Sequence, residues 1–363
     1  MGGRRGVSRR NPGGEITFIR RLHLTSHLKI RMQMERPQPG LMCHCAVVCL
    51  LALLAGMAQA QDPVKGDRVP PGTQLHNQSQ TKEDTLRVNV RLVSVFTTVT
   101  DARGAPIDGL DKEDFRVLED GVPQTISVFD RESDLPLNVV LAIDTSESTH
   151  KDLKLEIASA KRFVHSIMRP QDRLTVFQVS EDTDQLTRFT GDVKTIDAAI
   201  DRLWPGAGTS LYDAIYLAAE RLMERQGRKV MVLITDGGDT TSKTDYLSAV
   251  RRAQEAEAII YSIIVVPVVA DAGRNTGGEH ALIQLSKDTG GKYYYAESIQ
   301  QLDQAFRQVS DELRTQYLIG YYPNRRLSDS PFRRIQVELV KKNDERAGLL
   351  VRHRAGYYTA PPR

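Results

Sequence analysis

Residues 138–148 read N-V-V-L-A-I-D-T-S-E-S, an apolar run that ends abruptly in acidic and hydroxyl side chains. A continuous apolar segment of this kind is typical of a strand buried on both faces of a parallel sheet. Residues 230–239, V-M-V-L-I-T-D-G-G-D, show the same pattern, with a carboxylate directly after a second apolar strand. The two segments together predict an α/β sheet that carries polar residues at one edge.

Helical and strand periodicities alternate in the region around these two runs. Apolar residues recur at helical spacing in the segments 153–167, 193–203, 210–226, 246–256, 280–288 and 299–314. Further strands are predicted at 174–179, 259–266 and 292–295. Strands that are regularly separated by helices imply right-handed crossovers. For residues 135–316 the sequence therefore predicts a doubly wound, mostly parallel, Rossmann-like sheet with helices on both faces.

The flanking segments 85–134 and 317–358 have the period-two alternation of β-strands instead. In the first flank, residues 115–118 and 125–129 are predicted to form a hairpin, with Asp120-Gly121 in the turn because this pair tolerates a positive φ. Neither flank alone is long enough for a stable sheet core, but together they have the size of one β-sandwich. We therefore expect the α/β domain to be inserted into a small antiparallel, sandwich-like β domain.

The first 84 residues are predicted to be a leader and a linker. Residues 46–57 form a twelve-residue apolar run that precedes Ala58-Gln59-Ala60, an A-x-A cleavage site. This run is shorter than the roughly 20 residues that span a bilayer, and no later apolar run reaches that length. We expect a leader, 1–60, whose signal peptide is cleaved after Ala60, a flexible linker, 61–84, and a secreted or periplasmic mature protein with no transmembrane segment.

The composition after the leader excludes several classes of function. Residues 1–60 contain nine of the 49 basic residues and two of the 46 acidic ones, so the remaining chain has a net charge of about −4. The three cysteines of the chain, Cys43, Cys45 and Cys49, all lie in the leader. The mature chain therefore has no disulfide and no thiolate for a metal. The absence of basic blocks argues against binding to nucleic acid.

Three loops bring hydroxyl and carboxylate groups to the predicted edge of the sheet. D-T-S-E-S at 144–148 follows the first buried strand, and D-G-G-D at 236–239 follows the second. Between them, G-A-G-T-S at 206–210 leads into a predicted helix. Ligands of open α/β sheets bind outside the carboxyl ends of the strands, so this edge is the predicted site.

The order of these motifs resembles the von Willebrand factor type A (vWA) domain with its metal-ion-dependent adhesion site. The resemblance covers roughly 136–316 and depends on D-T-S-E-S, G-T-S-L-Y-D-A-I at 208–215 and I-T-D-G-G-D at 234–239. It implies a divalent cation held by five residues: Asp144, Ser146, Ser148, Thr209 and Asp236. In the flanks, D-F-R-V-L-E-D-G-V-P-Q at 114–124 and R-A-G-Y-Y at 354–358 resemble secreted, vWA-related acidobacterial proteins.

The chemistry of these side chains agrees with the implied site. Mg²⁺ prefers oxygen ligands and retains water readily, so hydroxyls with two carboxylates suit it, or the related Mn²⁺ and Ca²⁺. Because two carboxylates leave a dication electrophilic, an open position is available to an Asp or Glu of a protein partner. We expect an exported, metal-dependent, adhesion-type binding module. The alternative is a structural component of the cell envelope whose metal only stabilises the fold.

The same residues allow other interpretations. A D-x-S-x-S segment alone is common as a helix cap, and Asp213 and Asp239 are expected to cap helices or support the site without binding the ion. Trp204 is expected to pack in the loop before Gly206. A subtilisin-like serine protease would use Ser210 as nucleophile and Asp144 as orienting acid, but the sequence offers no histidine in the required setting. We therefore expect no enzymatic activity.

Overall fold

The computed structural model describes residues 91–131, 134–146, 153–266, 276–325, 330–340 and 348–359. The predicted signal peptide and the linker, 61–84, lie outside the described residues, as does Ser148. The strands are β1 (Val93–Thr100), β2 (Phe115–Glu119), β3 (Val122–Gln124), β4 (Ile126–Arg131), β5 (Leu137–Asp144), β6 (Arg173–Val179), β7 (Thr183–Gln185), β8 (Arg228–Thr235), β9 (Ile259–Val265), β10 (Tyr293–Ala296), β11 (Tyr317–Tyr321), β12 (Phe332–Leu339), β13 (Leu350–Arg352) and β14 (Gly356–Tyr358). The α-helices are α1 (Leu153–Ile167), α2 (Val193–Ile200), α3 (Leu211–Met223), α4 (Tyr246–Glu255), α5 (Thr276–Thr289) and α6 (Ile299–Arg314).

Six strands form the central sheet in the order β10-β9-β8-β5-β6-β7. All neighbours pair in parallel except β7, a short antiparallel edge strand that the sequence did not predict. Counted along the chain, this is the doubly wound order 3-2-1-4-5-6, in which the direction of winding reverses between β5 and β8. The predicted fold class is confirmed, and the reversal lies between the two strands that the apolar runs predicted.

The central sheet is buried because helices cover both of its faces. All eight residues of β5 are buried. Val139, Leu141 and Ile143 pack in one core with apolar residues of α1, α2 and α6. Val140 and Ala142 point to the other face, in a core shared with α3, α4 and α5. This two-sided burial explains why the strand reads as a continuous apolar run.

The two flanks of the chain build two further four-stranded sheets around one core. One sheet has the order β13-β1-β11-β4 and the other β14-β12-β2-β3, so each combines strands from both flanks. Val95 and Ile319 of the first sheet pack in the same apolar cluster as Val117 and Val337 of the second. The antiparallel, sandwich-like arrangement expected from the flanks is therefore present.

One predicted pairing in the flanks was wrong. Strand β2 forms its hairpin with β3, across Asp120 and Gly121 with φ of 49° and 79°, while the predicted partner, 125–129, falls mostly in β4 and pairs with β11 in the opposite sheet. Alternation identifies which face of a strand is buried but not which sheet receives it.

A buried ionic cluster joins the flanking sheets to the α/β region. Glu312 of α6 is 1% exposed, and its Oε2 lies 2.7 Å from Nη2 of Arg352 in β13. Its Oε1 accepts a hydrogen bond from the Tyr294 hydroxyl at 3.2 Å and lies 3.4 Å from the Lys292 ammonium. Arg352 also donates to the Gly291 carbonyl at 3.0 Å. Charged groups of both regions are thus paired where the two parts meet.

None of the helices in the described part of the chain is both long and apolar enough to cross a bilayer.

Candidate metal centre

The carboxyl ends of β5 and β8 lie side by side at the point where the sheet reverses. The two strands are parallel neighbours, with Ile143 opposite Ile234. Asp144 is the last residue of β5, and Asp236 directly follows β8. The register therefore places the two carboxylates at the same edge, in the crevice where α/β sheets bind ligands.

Asp144 is almost fully buried and is held in a fixed orientation. Its Oδ2 accepts a hydrogen bond from the Thr235 hydroxyl at 2.7 Å, and its Oδ1 accepts one from the Ser146 backbone N–H at 2.9 Å. Burial raises the pKa of Asp144, the hydrogen bonds from Thr235 and Ser146 lower it, and the charge of Asp236 raises it, with a result of about 6. A buried carboxylate beside a second one is an electrostatic environment that favours a cation.

Thr209 lies in a loop that is attached to both strand ends. Gly206 N–H donates to the Thr145 carbonyl at 2.8 Å, which connects the loop to the residue between Asp144 and Ser146. On the other side, Thr209 N–H donates to the Thr240 hydroxyl and Thr240 N–H donates to the Thr209 carbonyl, both at 2.9 Å. Thr209 is buried, and its hydroxyl makes no hydrogen bond to any described residue.

Asp236 is half-buried, and the residue that follows it must be a glycine. Its Oδ1 accepts a hydrogen bond from Gly238 N–H at 3.0 Å. Gly237 has a φ of +87°, and a Cβ there would lie 3.0 Å from the backbone nitrogen of Glu279. The backbone consequently passes close to α5 while the Asp236 side chain remains at the edge of the sheet.

The structure thus brings Asp144, Ser146, Thr209 and Asp236 to one edge, while Ser148 lies outside the described residues. Within the described ranges, no group of three or more His, Cys, Asp or Glu side chains is arranged to hold a metal ion. A cation at this edge therefore needs hydroxyl oxygens in addition to the two carboxylates. That donor set suits a hard ion that retains water, such as Mg²⁺.

The sequence profile of the von Willebrand factor type A domain matches residues 138–308. The chain contains a vWA domain. The match begins one residue after the start of β5 and ends within α6, so it includes the whole edge described above. No curated protein sequence matches the chain significantly.

Several solved structures are similar to the chain. The conserved hypothetical protein BatB of Bacteroides thetaiotaomicron is 16% identical, with a TM-score of 0.40, over 49% of this chain and 100% of that one. The vWF domain of the pilus tip protein Mfa5 of Porphyromonas gingivalis is 16% identical, with a TM-score of 0.39, over 48% and 94%. A von Willebrand factor type A protein of Catenulispora acidiphila is 14% identical, with a TM-score of 0.43, over 62% and 51%.

Asp213 and Asp239 connect the loop after β8 to the first turn of α3. Asp239 Oδ1 accepts a hydrogen bond from Tyr212 N–H at 3.2 Å, near the start of that helix. The two carboxylate oxygens of Asp213 accept from Thr244 N–H at 2.8 Å and Lys243 N–H at 3.0 Å. Hydrogen bonds from Thr244 and Lys243 outweigh burial and lower the pKa of Asp213. Both carboxylates are therefore used in holding the loop after β8.

Two residues of the site region were misjudged or missed by the sequence reasoning. Trp204, expected to pack, is 47% exposed, because its neighbour Leu203 occupies the buried position. Glu181 follows β6, and its Oε2 accepts hydrogen bonds from Ala207 N–H at 2.7 Å and Gly208 N–H at 3.3 Å. The signal for Glu181 was present, since it lies at the carboxyl end of a buried strand like Asp144 does.

The serine protease interpretation receives no support from the described residues. The Ser210 hydroxyl donates to the Glu181 carbonyl at 2.6 Å and lies 2.8 Å from the Thr241 hydroxyl. His165 Nε2 is 2.9 Å from Asp197 Oδ2 on the surface of the helical layer, and His150 lies outside the described residues. Ser210 thus has polar contacts that hold a loop, with no described imidazole beside its hydroxyl.

Proposed function

We propose that Asp144, Ser146, Ser148, Thr209 and Asp236 form a metal-ion-dependent adhesion site through which this exported protein binds an acidic group of a protein partner. The observation that carries the proposal is the convergence of four of these residues at the reversal point of the sheet. The fifth, Ser148, is included from the motif alone. The match to the vWA profile supports the same assignment.

The donor set explains why the site would bind a partner as well as an ion. When bound, a divalent cation such as Mg²⁺, Mn²⁺ or Ca²⁺ supplies a positive, oxygen-seeking centre. Asp144 and Asp236 provide two negative charges, and the serine and threonine hydroxyls provide neutral oxygens. Since the protein's own ligands do not add further charge, attraction for an Asp or Glu carboxylate from outside is retained.

The Thr209 hydroxyl can be removed without loss of the hydrogen bonds that hold the Thr209 backbone. Its backbone is held by the pair of hydrogen bonds with Thr240, while its hydroxyl makes no hydrogen bond within the described part of the chain. Replacing Thr209 with valine removes the hydroxyl and retains the shape of the side chain. We expect Thr209→Val to fold and to lose metal-dependent capture, and Thr209→Ser to retain capture.

A peptide array tests the proposal directly. Peptides that differ only at a central Asp, Glu, Asn or Gln are exposed to the full mature chain, with Mg²⁺ and then with EDTA. Binding to the Asp and Glu peptides that disappears with EDTA, and is absent in Thr209→Val, is the expected result. Binding that is unaffected by chelation would contradict the proposal.

The alternative function predicts a different result in the same samples. If the metal only stabilises a structural component of the envelope, Mg²⁺ raises the melting temperature without any dependence of peptide capture on the ion. Asp184→Asn is the matched control, since Asp184 is an exposed acidic residue in β7 that is outside the proposed ligand set. This variant should behave as the wild type in both measurements.

A further inference from the structure

Glu181 is exposed, but its carboxylate is hydrogen-bonded to the backbone of the loop 206–210, which contains Thr209. Its Oε2 accepts from Ala207 N–H at 2.7 Å and from Gly208 N–H at 3.3 Å. These two residues immediately precede Thr209. The hydrogen bond from Ala207 is the main reason that the pKa of Glu181 lies below its ordinary value.

The residue after Thr209 is attached to the same short segment. Ser210 N–H donates to the Ser180 carbonyl at 2.7 Å, and the Ser210 hydroxyl donates to the Glu181 carbonyl at 2.6 Å. Thr209 therefore lies between two attachments to the segment 180–181, one before it and one after it. Neither attachment uses the Thr209 hydroxyl.

The path of the loop depends on these hydrogen bonds because its glycines have no side chains to pack. A Cβ on Gly206 would lie 2.3 Å from Ser180 Cβ, and a Cβ on Gly208 would lie 2.9 Å from Thr241 Cγ2. The backbone thus approaches its neighbours too closely for any side chain at either position. A loop of this kind gains its position from hydrogen bonds of its backbone, and the Glu181 carboxylate accepts two of them.

We propose that Glu181 is a positioning residue of the metal site, which holds the backbone before Thr209 so that the threonine hydroxyl is directed at the cation. This inference rests on the proposed function, because it assumes that Thr209 is a ligand. Glu181 acts through the loop and does not bind the ion. Outer residues that orient metal ligands change metal affinity by about 10- to 100-fold when they are replaced.

The geometry distinguishes this role from a general contribution to stability. Glu181 is exposed and belongs to neither core of the α/β region, so its truncation removes no packing from them. Glutamine at this position keeps an oxygen that accepts from Ala207 and Gly208, while alanine keeps none. A positioning role therefore predicts that Glu181→Gln retains most of the metal affinity that Glu181→Ala loses.

Calorimetric titration of Mg²⁺ into the full mature chain tests this inference. We expect Glu181→Ala to bind Mg²⁺ about 10- to 100-fold more weakly than the wild type, and Glu181→Gln to bind almost as tightly. Asp184→Asn, an exposed acidic residue of the adjacent strand, is the control for loss of charge and should bind normally. The thermal midpoints of the metal-free variants should agree closely.

Hydrogen exchange of the metal-free proteins gives a readout that is independent of the ion. The amides of Ala207 and Gly208 should exchange faster in Glu181→Ala than in the wild type or Glu181→Gln. Equal Mg²⁺ affinity in wild type and Glu181→Ala would overturn the inference and leave the proposed function standing. Equal weakening by alanine and glutamine would also overturn it, since the effect would then be one of charge. A wild type that binds no Mg²⁺ would instead refute the proposed function.

Discussion

Replacing Arg352 with alanine is expected to destabilise the protein strongly, although Arg352 is far from the proposed metal site. The guanidinium Nη2 lies 2.7 Å from Glu312 Oε2, and Glu312 is 1% exposed. The variant would leave that oxygen buried without its cation. Arg352 also donates to the Gly291 carbonyl, and this hydrogen bond would be lost as well.

The magnitude follows from what remains around Glu312. Removing one partner of a buried ion pair costs about 3–5 kcal/mol, because the other charge stays in a medium of low polarity. The other carboxylate oxygen retains the Tyr294 hydroxyl at 3.2 Å and Lys292 at 3.4 Å. We therefore expect the lower end of the range, a loss of about 3 kcal/mol in the free energy of unfolding. For a cooperative unit of about 150–250 residues that corresponds to a fall of roughly 6–12 °C in melting temperature.

Urea unfolding followed by circular dichroism measures this loss, with Arg116→Ala as the control. Arg116 pairs with Glu338 on the surface, where the two side chains are 60% and 45% exposed, and such pairs contribute at most about 1 kcal/mol. The double variant Arg352→Ala with Glu312→Gln should be more stable than the sum of the single effects predicts. A loss for Arg352→Ala no larger than that of the control would show that Arg352 does not stabilise the buried carboxylate of Glu312.

Three further predictions concern pH, domain structure and export. His353 Nε2 accepts a hydrogen bond from Val337 N–H at 3.0 Å, and burial lowers its pKa below the ordinary 6.5. Its contribution to stability should be complete above about pH 6.5 and be lost as the pH falls through the lower folded-state pKa, a dependence that urea titrations of His353→Gln should lack. Residues 134–316 alone should give a cooperative thermal transition and bind Mg²⁺, whereas 85–134 alone should not unfold cooperatively, because β1 and β4 both pair with β11. Sequencing of the exported protein should find Gln61 at its N-terminus, and an intact leader would contradict cleavage.

The sequence predicts the central sheet well because burial on both faces leaves an unambiguous pattern. The strands β5 and β8 appear as uninterrupted apolar runs, and helical spacing marks the segments between the strands. The position of the proposed site follows from a general rule about carboxyl ends of parallel strands. Neither step needs knowledge of distant contacts.

The pairing of the flanking strands could not be predicted in the same way. Residues 125–129 alternate as a hairpin partner of β2 would, but β4 crosses to the other sheet because β11 is available there. That choice depends on a strand almost 200 positions away in the sequence. The ionic cluster of Glu312 and Arg352 likewise joins residues of different regions, and charged residues in a sequence usually indicate exposure.

The role of Glu181 also depends on a contact that the sequence does not encode locally. An exposed glutamate after a strand is most often solvated, and only the folded chain shows that Ala207 and Gly208 donate to it. The loop also contains Gly206 and Gly208. The structure shows that they permit close contact with Ser180 and Thr241.

Calorimetric titration of Mg²⁺ into the wild type and Asp236→Ala shows whether the two carboxylates at the sheet edge hold a cation. Asp236 supplies one of the two carboxylates at the edge of the sheet, so its removal deletes half of the negative charge proposed to hold the ion. It is half-buried at a strand end, outside both cores of the α/β region, so the variant should retain the fold. We predict clear binding of Mg²⁺ to the wild type and a large loss of affinity in the variant. Equal affinity in the two proteins would show that Asp236 does not bind the ion.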